Sequence, residues 1–270
     1  MIKLIAIDID DTLLNSQSKI TAATKEAIQN ALQQGIKVVL CSGRPLAGVS
    51  PFLKELDITG DNQYVITNNG GVIETVSGKV LSRQSLNNSD YRRIVKYATE
   101  HKMSYYVLDD QSNVYTSDHD VNRLAVVQAW ENKAGIYIRT PDELADDFEI
   151  TKAAIVGEKS ALDKFEQPVK AEFAKDFYVV RAGDYFLEIM HRDVNKGIGL
   201  QKLTEILGID ASEVMAFGDE QNDIPMFKFA GTAVSMGNGS KLAKAEADHI
   251  TDTNDNDGIA KALTKLVFKA

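Results

Sequence analysis

Short apolar runs separated by amphipathic stretches organise this chain. Residues 4–9 are almost wholly apolar and rich in β-branched side chains, the pattern of a strand buried on both faces of a parallel sheet. Thr21 is placed to cap a helix with Ala27, Ile28, Ala31 and Leu32 on one face, stopping at Gly35, a residue suited to left-handed backbone past a helix end. Residues 36–40 read as a second buried strand. Ser42-Gly43-Arg44-Pro45 follows, then a helix with Leu46, Val49, Leu53 and Leu56 in phase. Residues 64–67 predict a third strand, and 72–74 with 80–81 a hairpin turned by Ser77-Gly78.

The rhythm then changes. From about 86 to 190, helical stretches at 91–101, 121–130 and 162–173 alternate with short strands near 104–108, 114–115, 153–156, 177–180 and 185–190. The first rhythm resumes with a helix at 196–207, a strand at 214–217, a helix around 224–229, a strand near 232–234 and a terminal helix at 258–268. The expectation is an α/β fold: a Rossmann-like open parallel sheet built from 1–85 and 191–270, with an α+β domain inserted at 86–190. There is no internal repeat, and 252–257 reads as a short polar loop with solvated carboxylates.

Composition narrows the functional classes. At 270 residues, with 44% hydrophobic and 26% charged, the chain is ordinary in make-up and long enough for one or two domains with a sizeable core. No apolar run approaches the roughly 20 residues that span a bilayer, and Asp8 interrupts the N-terminus too soon for a secretory segment. A single cysteine, Cys41, excludes an internal disulfide and a multi-cysteine metal site, which points to a reducing cytoplasm. The four histidines lack the spacing of a zinc helix, so any metal would take oxygen ligands. The net charge of −9, without a basic stripe, argues against nucleic acid. A small anionic substrate would need a lysine or a metal ion to offset that field.

Two acidic clusters carry the candidate chemistry. Asp8, Asp10 and Asp11 crowd the end of the first strand, where open parallel sheets place their ligands. Such crowding reads either as an oxygen-ligand site for a cation of the magnesium kind or as a turn with capping aspartates. Gly218-Asp219-Glu220-Gln221-Asn222-Asp223 follows another buried strand and lands on the same sheet edge, which favours the metal reading. Ser42-Gly43 supplies a hydroxyl and an open backbone N–H after the second strand. Lys196 starts a helix, the wrong end for a cation; it is either simply solvated or compensated by a bound anion. Thr12 orients this loop or caps it locally. Cys41, with no histidine nearby in sequence, reads as a packed thiol.

Taken in order, these pieces resemble the haloacid dehalogenase superfamily. Asp8-Ile9-Asp10-Asp11-Thr12 is similar to its first motif, Ser42 to its second, Lys196 to its third and Gly218 to Asp223 to its fourth. The inserted α+β segment, Asn69-Gly70 and Ile224-Pro225-Met226 resemble the Cof-type branch of mostly sugar-phosphate phosphatases, in which that segment is a cap. The chain departs from many relatives at Asp11, where they have glycine, and at Gly71, where alanine is common.

The resemblance implies a magnesium-dependent phosphatase acting on small phosphorylated metabolites. Asp8 would be the nucleophile that forms an aspartyl-phosphate, and Asp10 the acid and then the base, its pKa raised by the crowding of carboxylates. Mg2+ would be held by Asp8, Asp219 and the Asp10 carbonyl, with Asp223 steering from behind. Lys196 would neutralise the phosphoryl group, which Ser42, Gly43, Asn222 and the Ile9 N–H would orient. A phosphosugar mutase and a non-enzymatic phosphate-sensing regulator are the alternatives. Arg44 would meet a phosphate or pair with an acid. Glu188 and His191 are candidates for substrate contact, while Trp130, Tyr105, Tyr106 and Tyr115 line a pocket or belong to a core.

Overall fold

The computed structural model describes residues 1–268, and among them the chain forms two compact units: Met1–Ser82 with Asn195 onward, and Arg83–Val194. In chain order the first unit opens with β1 (Leu4–Ile7), α1 (Ala22–Gln33), β2 (Lys37–Cys41), α2 (Leu46–Glu55), β3 (Tyr64–Thr67), β4 (Val72–Thr75) and β5 (Val80–Arg83). The second unit carries α3 (Asn88–Glu100), β6 (Ser104–Leu108), β7 (Val114–Thr116), α4 (Arg123–Asn132), β8 (Ile136–Ile138), β9 (Lys152–Val156), α5 (Lys159–Phe173), β10 (Phe177–Ala182) and β11 (Phe186–His191). The first unit is completed by α6 (Lys196–Leu207), β12 (Val214–Gly218), α7 (Ile224–Phe229), β13 (Thr232–Ser235), α8 (Lys241–Glu246), β14 (His249–Ile250) and α9 (Gly258–Leu266).

The sheet of the first unit runs β14-β13-β12-β1-β2-β3-β4-β5, parallel from β14 to β3 and antiparallel from β3 to β4. β1 is central, and its side chains alternate between two hydrophobic layers. Ile5 and Ile7 join Val38, Leu40 and Phe217 beneath Ile28, Leu53 and Leu263, while Leu4 and Ala6 join Val39 and Ala216 beneath Leu200, Leu203 and Met226. Burial on both faces is why the strand reads as a continuous apolar run instead of an alternating one. Each buried Val, Leu, Ile, Phe or Met side chain here contributes about 1.5–3 kcal/mol.

β1 ends at Ile7, two residues before the apolar run does. The chain leaves the sheet in a wide turn in which Leu13 N–H donates to Asp8 O and Leu14 N–H to Ile9 O. Asp11 lies in this turn at φ 56, left-handed backbone that glycine adopts freely and that aspartate tolerates better than most residues. The terminal helix stops at Leu266, short of Phe268.

The second unit is a sheet in the order β10-β11-β9-β6-β7-β8, antiparallel except where β7 meets β8. Tyr105, Val107, Ile155 and Leu187 pack under Tyr91, Ile94, Leu162 and Phe173; on the other face Tyr106, Leu108 and Ala154 pack under Leu124 and Ala129. Arg83 belongs with this unit through ion pairs to Asp110 and Glu149, which moves the first sequence-read boundary by a few residues. β8, α8 and β14 escaped the sequence reading because they are short and largely exposed, so hydrophobic periodicity barely marks them.

Candidate active site

Register brings the acidic motifs together. Ile7 of β1 pairs with Leu40 of β2 and with Phe217 of β12, so Asp8, Ser42 and Asp219 all leave the sheet at the same edge. Asp8 N–H donates to Phe217 O at 3.1 Å, tying the turn after β1 to the end of β12. One carboxylate oxygen each of Asp8, Asp219 and Asp223 lies within 4.8 Å of the others, and all three residues are buried.

Lys196 reaches this cluster from the first turn of α6. Its ammonium, on a side chain only 1% exposed, stands 2.5 Å from Asp8 Oδ1 and 2.6 Å from Asp223 Oδ1. The anion that offsets its position at the positive end of a helix is therefore supplied by the protein itself. Asp223 spends its second oxygen on the N–H groups of Asp219 (2.9 Å) and Glu220 (3.1 Å). Gly218 makes that loop possible, since a Cβ there would fall 2.5 Å from the Asp223 side chain. Thr12 Oγ1 donates to Asp219 Oδ1 at 2.9 Å, so its hydroxyl reaches across the chain instead of capping locally.

Asp10 stands apart from this trio. Its carboxylate, 55% exposed, takes a bidentate pair from Arg44, Nε to Oδ2 at 3.0 Å and Nη2 to Oδ1 at 2.7 Å. The carboxylates that meet within 4.8 Å are thus Asp8, Asp219 and Asp223, while the direct partner of Asp10 is the Arg44 guanidinium. Ser42 is buried, with Oγ accepting from Arg44 N–H at 3.1 Å. Asn222 donates to Asn69 Oδ1 at 3.2 Å, and Asn69 N–H donates to Ser42 O at 2.9 Å. Ile9 is wholly buried beside the cluster in sequence, and Gly43 lies against the Asn69 amide. The sequence reading passed over Asn69 as a site residue; its signal was an Asn-Asn-Gly run directly after a buried strand.

Other candidates fall elsewhere. Glu188 is buried in the second unit, where Lys152 meets it at 2.5 Å. Tyr105 and Tyr106 are core residues there, whereas Trp130 is 84% exposed. Cys41 is buried, and burial pushes its thiol above the ordinary range.

A model of the haloacid dehalogenase-like hydrolases matches residues 5–263. The chain belongs to that family. Among relatives of this haloacid dehalogenase-like hydrolase is the YxeH protein of Bacillus subtilis (strain 168), 33% identical over 269 residues that span 99% of both chains. Another is the 5-amino-6-(5-phospho-D-ribitylamino)uracil phosphatase YcsE of the same organism, 32% identical over 99% of this chain and 96% of that one. The crystal structure of a haloacid dehalogenase-like hydrolase from Bacteroides thetaiotaomicron, 33% identical, superposes with a TM-score of 0.83 over 98% of this chain and all of that one. The protein is a phosphatase of this family.

The electrostatics of the hydrolase's site suit that chemistry. Burial, then Asp223 and Asp10, raise the Asp8 pKa to about 7 against the pull of Lys196. Burial, then Asp223 and Asp8, raise Asp219 to about 9, with the Thr12 hydrogen bond and Lys196 opposing. Burial alone would lower the Lys196 pKa, but Asp223 and Asp8 outweigh it and the ammonium stays charged. Three carboxylates facing one ammonium leave the site short of positive charge. Asp8 Oδ2 and Asp219 Oδ2 accept no hydrogen bond among the described residues. Two hard oxygen donors beside excess negative charge fit a divalent cation of the magnesium class. Among the described residues no helix is long and apolar enough to cross a membrane.

Proposed function

We propose that this phosphatase hydrolyses small phosphorylated metabolites, sugar phosphates above all, through an aspartyl-phosphate on Asp8 with Mg2+ as cofactor. The observation that carries the reading is the meeting of Asp8, Lys196, Asp219 and Asp223, from three distant segments, at one sheet edge. An Asp8 oxygen attacks phosphorus and the bond to the leaving oxygen breaks, while Asp10 gives that oxygen a proton. Water then attacks the same phosphorus, Asp10 takes its proton, and the bond to Asp8 breaks to release phosphate. Lys196 balances charge on the phosphoryl group, and Ser42, Gly43, Asn222 and the Ile9 N–H orient it.

Asp8 and Asp219 would hold the cation together with the Asp10 carbonyl. Asp223, already bound to Lys196 and to two backbone N–H groups, would fix its neighbours in place. Mg2+ supplies charge neutralisation for the transferring phosphoryl oxygens when bound. The relative named for 5-amino-6-(5-phospho-D-ribitylamino)uracil acts on a phosphate carried by a ribityl chain, which supports a polyhydroxylated leaving group here. The second unit is the cap that selects it, and the cytoplasm is the compartment.

Purified protein incubated with 4-nitrophenyl phosphate and a panel of sugar phosphates tests this. Phosphate release should require Mg2+, stop with chelator and vanish in Asp8→Asn. Asp10→Asn should slow sugar phosphates far more than the activated aryl ester. Release that is indifferent to Mg2+ or to Asp8→Asn would sink the reading.

A further inference from the structure

The loop after β3 touches three of the segments that present phosphate-facing groups in the mechanism above: Ser42-Gly43, Asn222 and the start of α6. Asn69 is buried and left-handed at φ 54, and its N–H donates to Ser42 O at 2.9 Å. Its amide lies so close to Gly43 that a Cβ on that glycine would be 3.1 Å from Asn69 Nδ2. Its Oδ1 accepts from Asn222 Nδ2 at 3.2 Å, across a sequence separation of 153 residues. Gly70, at φ +94, presses on the segment before Lys196: a Cβ on Gly70 would stand 2.2 Å from Asn195 O. A Cβ on Gly199, one turn into α6, would stand 2.8 Å from Gly70 Cα.

We propose that Asn69 is a positioning residue for phosphoryl binding: it aims the Asn222 amide and fixes the Ser42-Gly43 loop, with Gly70 seating the start of α6 that carries Lys196. The physical case is preorganisation. Asn222 has a side-chain amide with two donors and free rotation, and an acceptor at Asn69 Oδ1 ties down one of those donors. A donor already aimed costs little ordering when an anion arrives. Asparagine is among the few residues that combine a left-handed backbone with such an acceptor, so the conformation and the hydrogen bond call for the same side chain. The proposal rests on the phosphatase reading.

The test uses the whole 270-residue chain, with inorganic phosphate as competitive inhibitor and 4-nitrophenyl phosphate and a sugar phosphate as substrates. Asn69→Gly keeps the backbone conformation accessible and deletes the amide. Its phosphate inhibition constant and both KM values should rise about fivefold or more, with kcat falling less, because ground and transition states lose the same contact. Asn222→Ala should weaken phosphate binding in the wild type but add little on top of Asn69→Gly. Asn69→Asp keeps Oδ1 and tolerates the left-handed backbone, so although its charge weakens phosphate binding in itself, there Asn222→Ala should regain its effect; Asn69→Ala, which also deletes the amide, serves if Asn69→Gly fails to fold. Unchanged phosphate inhibition in Asn69→Gly, or additive losses with Asn222→Ala, would overturn the proposal. The phosphatase reading fails separately, on an active Asp8→Asn.

Discussion

Both units bury a lysine against acid, and the two arrangements differ in balance. In the second unit Lys152 meets Glu188 at 2.5 Å, both almost wholly buried, inside a sheet face otherwise filled by Tyr106, Leu108 and Ala154. At the sheet edge of the first unit, Lys196 faces Asp8 and Asp223, with Asp219 alongside. A one-to-one pair carries no net charge and asks for no further ion, even where its attraction does not fully repay its desolvation. Three carboxylates on one ammonium do not; burial first, and the neighbouring carboxylates after it, displace the protonation equilibria of Asp8 and Asp219 upward. Buried charge is therefore not by itself a mark of function; unbalanced buried charge beside open donor atoms is.

The largest expected effect tests the unbalanced cluster. Asp8→Asn should lower phosphate release by about a thousandfold or more, since the nucleophile is lost, while circular dichroism and the melting curve stay close to those of wild type. A variant that turns over at a tenth of the wild-type rate would return the cluster to a structural role.

The balanced pair should respond in stability. Glu188→Leu strands the Lys152 ammonium and should cost about 3–5 kcal/mol in urea unfolding; adding Lys152→Met should recover most of that loss. A double variant as unstable as the single one would show that the pair is held for something other than charge balance.

The unbalanced cluster should also show itself in the pH dependence of the metal-free protein. Asp8 and Asp219 have folded pKa values near 7 and 9, above the 3.8 of an ordinary aspartate. Raised acids contribute stability that is fully present below the unfolded pKa and is lost as pH rises through the folded one. With chelator present, the melting temperature should therefore decline between about pH 4 and pH 9. Mg2+ should restore more of it at pH 9 than at pH 5, and Asp219→Asn should flatten the decline. A flat profile in the wild type would contradict the displaced equilibria.

The smallest effect belongs to Thr12→Val. Losing one buried hydrogen bond to Asp219 Oδ1 should cost about 1 kcal/mol and raise the Mg2+ concentration for half-maximal activity severalfold, read from a metal titration. No change in that titration would confine Thr12 to the turn.

Much of the architecture was legible because it is written in local pattern. β3 and α6 fall where the apolar spacing puts them, and the caps at Thr21 and Asn195 sit at the helix starts. Exposed short elements such as β8 were not legible, since they bury too little to impose a period. The site was legible in outline for the same reason: Asp8 and Asp219 each end a buried strand, so parallel register alone places them on one edge.

The sequence by itself thus determined that two acidic motifs and a serine-glycine pair follow buried strands onto one sheet edge, because strand and helix periods act over a few residues, and it left the helix-starting lysine open. Only the tertiary structure decided who pairs with whom. Lys196 bridges Asp8 and Asp223, Thr12 serves Asp219 from 207 residues away, Arg44 takes Asp10 out of the crowded trio, and Asn69 takes hold of Asn222. Those partnerships turn on ångström-scale distances between loops whose backbones, left-handed at Asp11, Asn69 and Gly70, are set by packing across the fold and not by any local spacing.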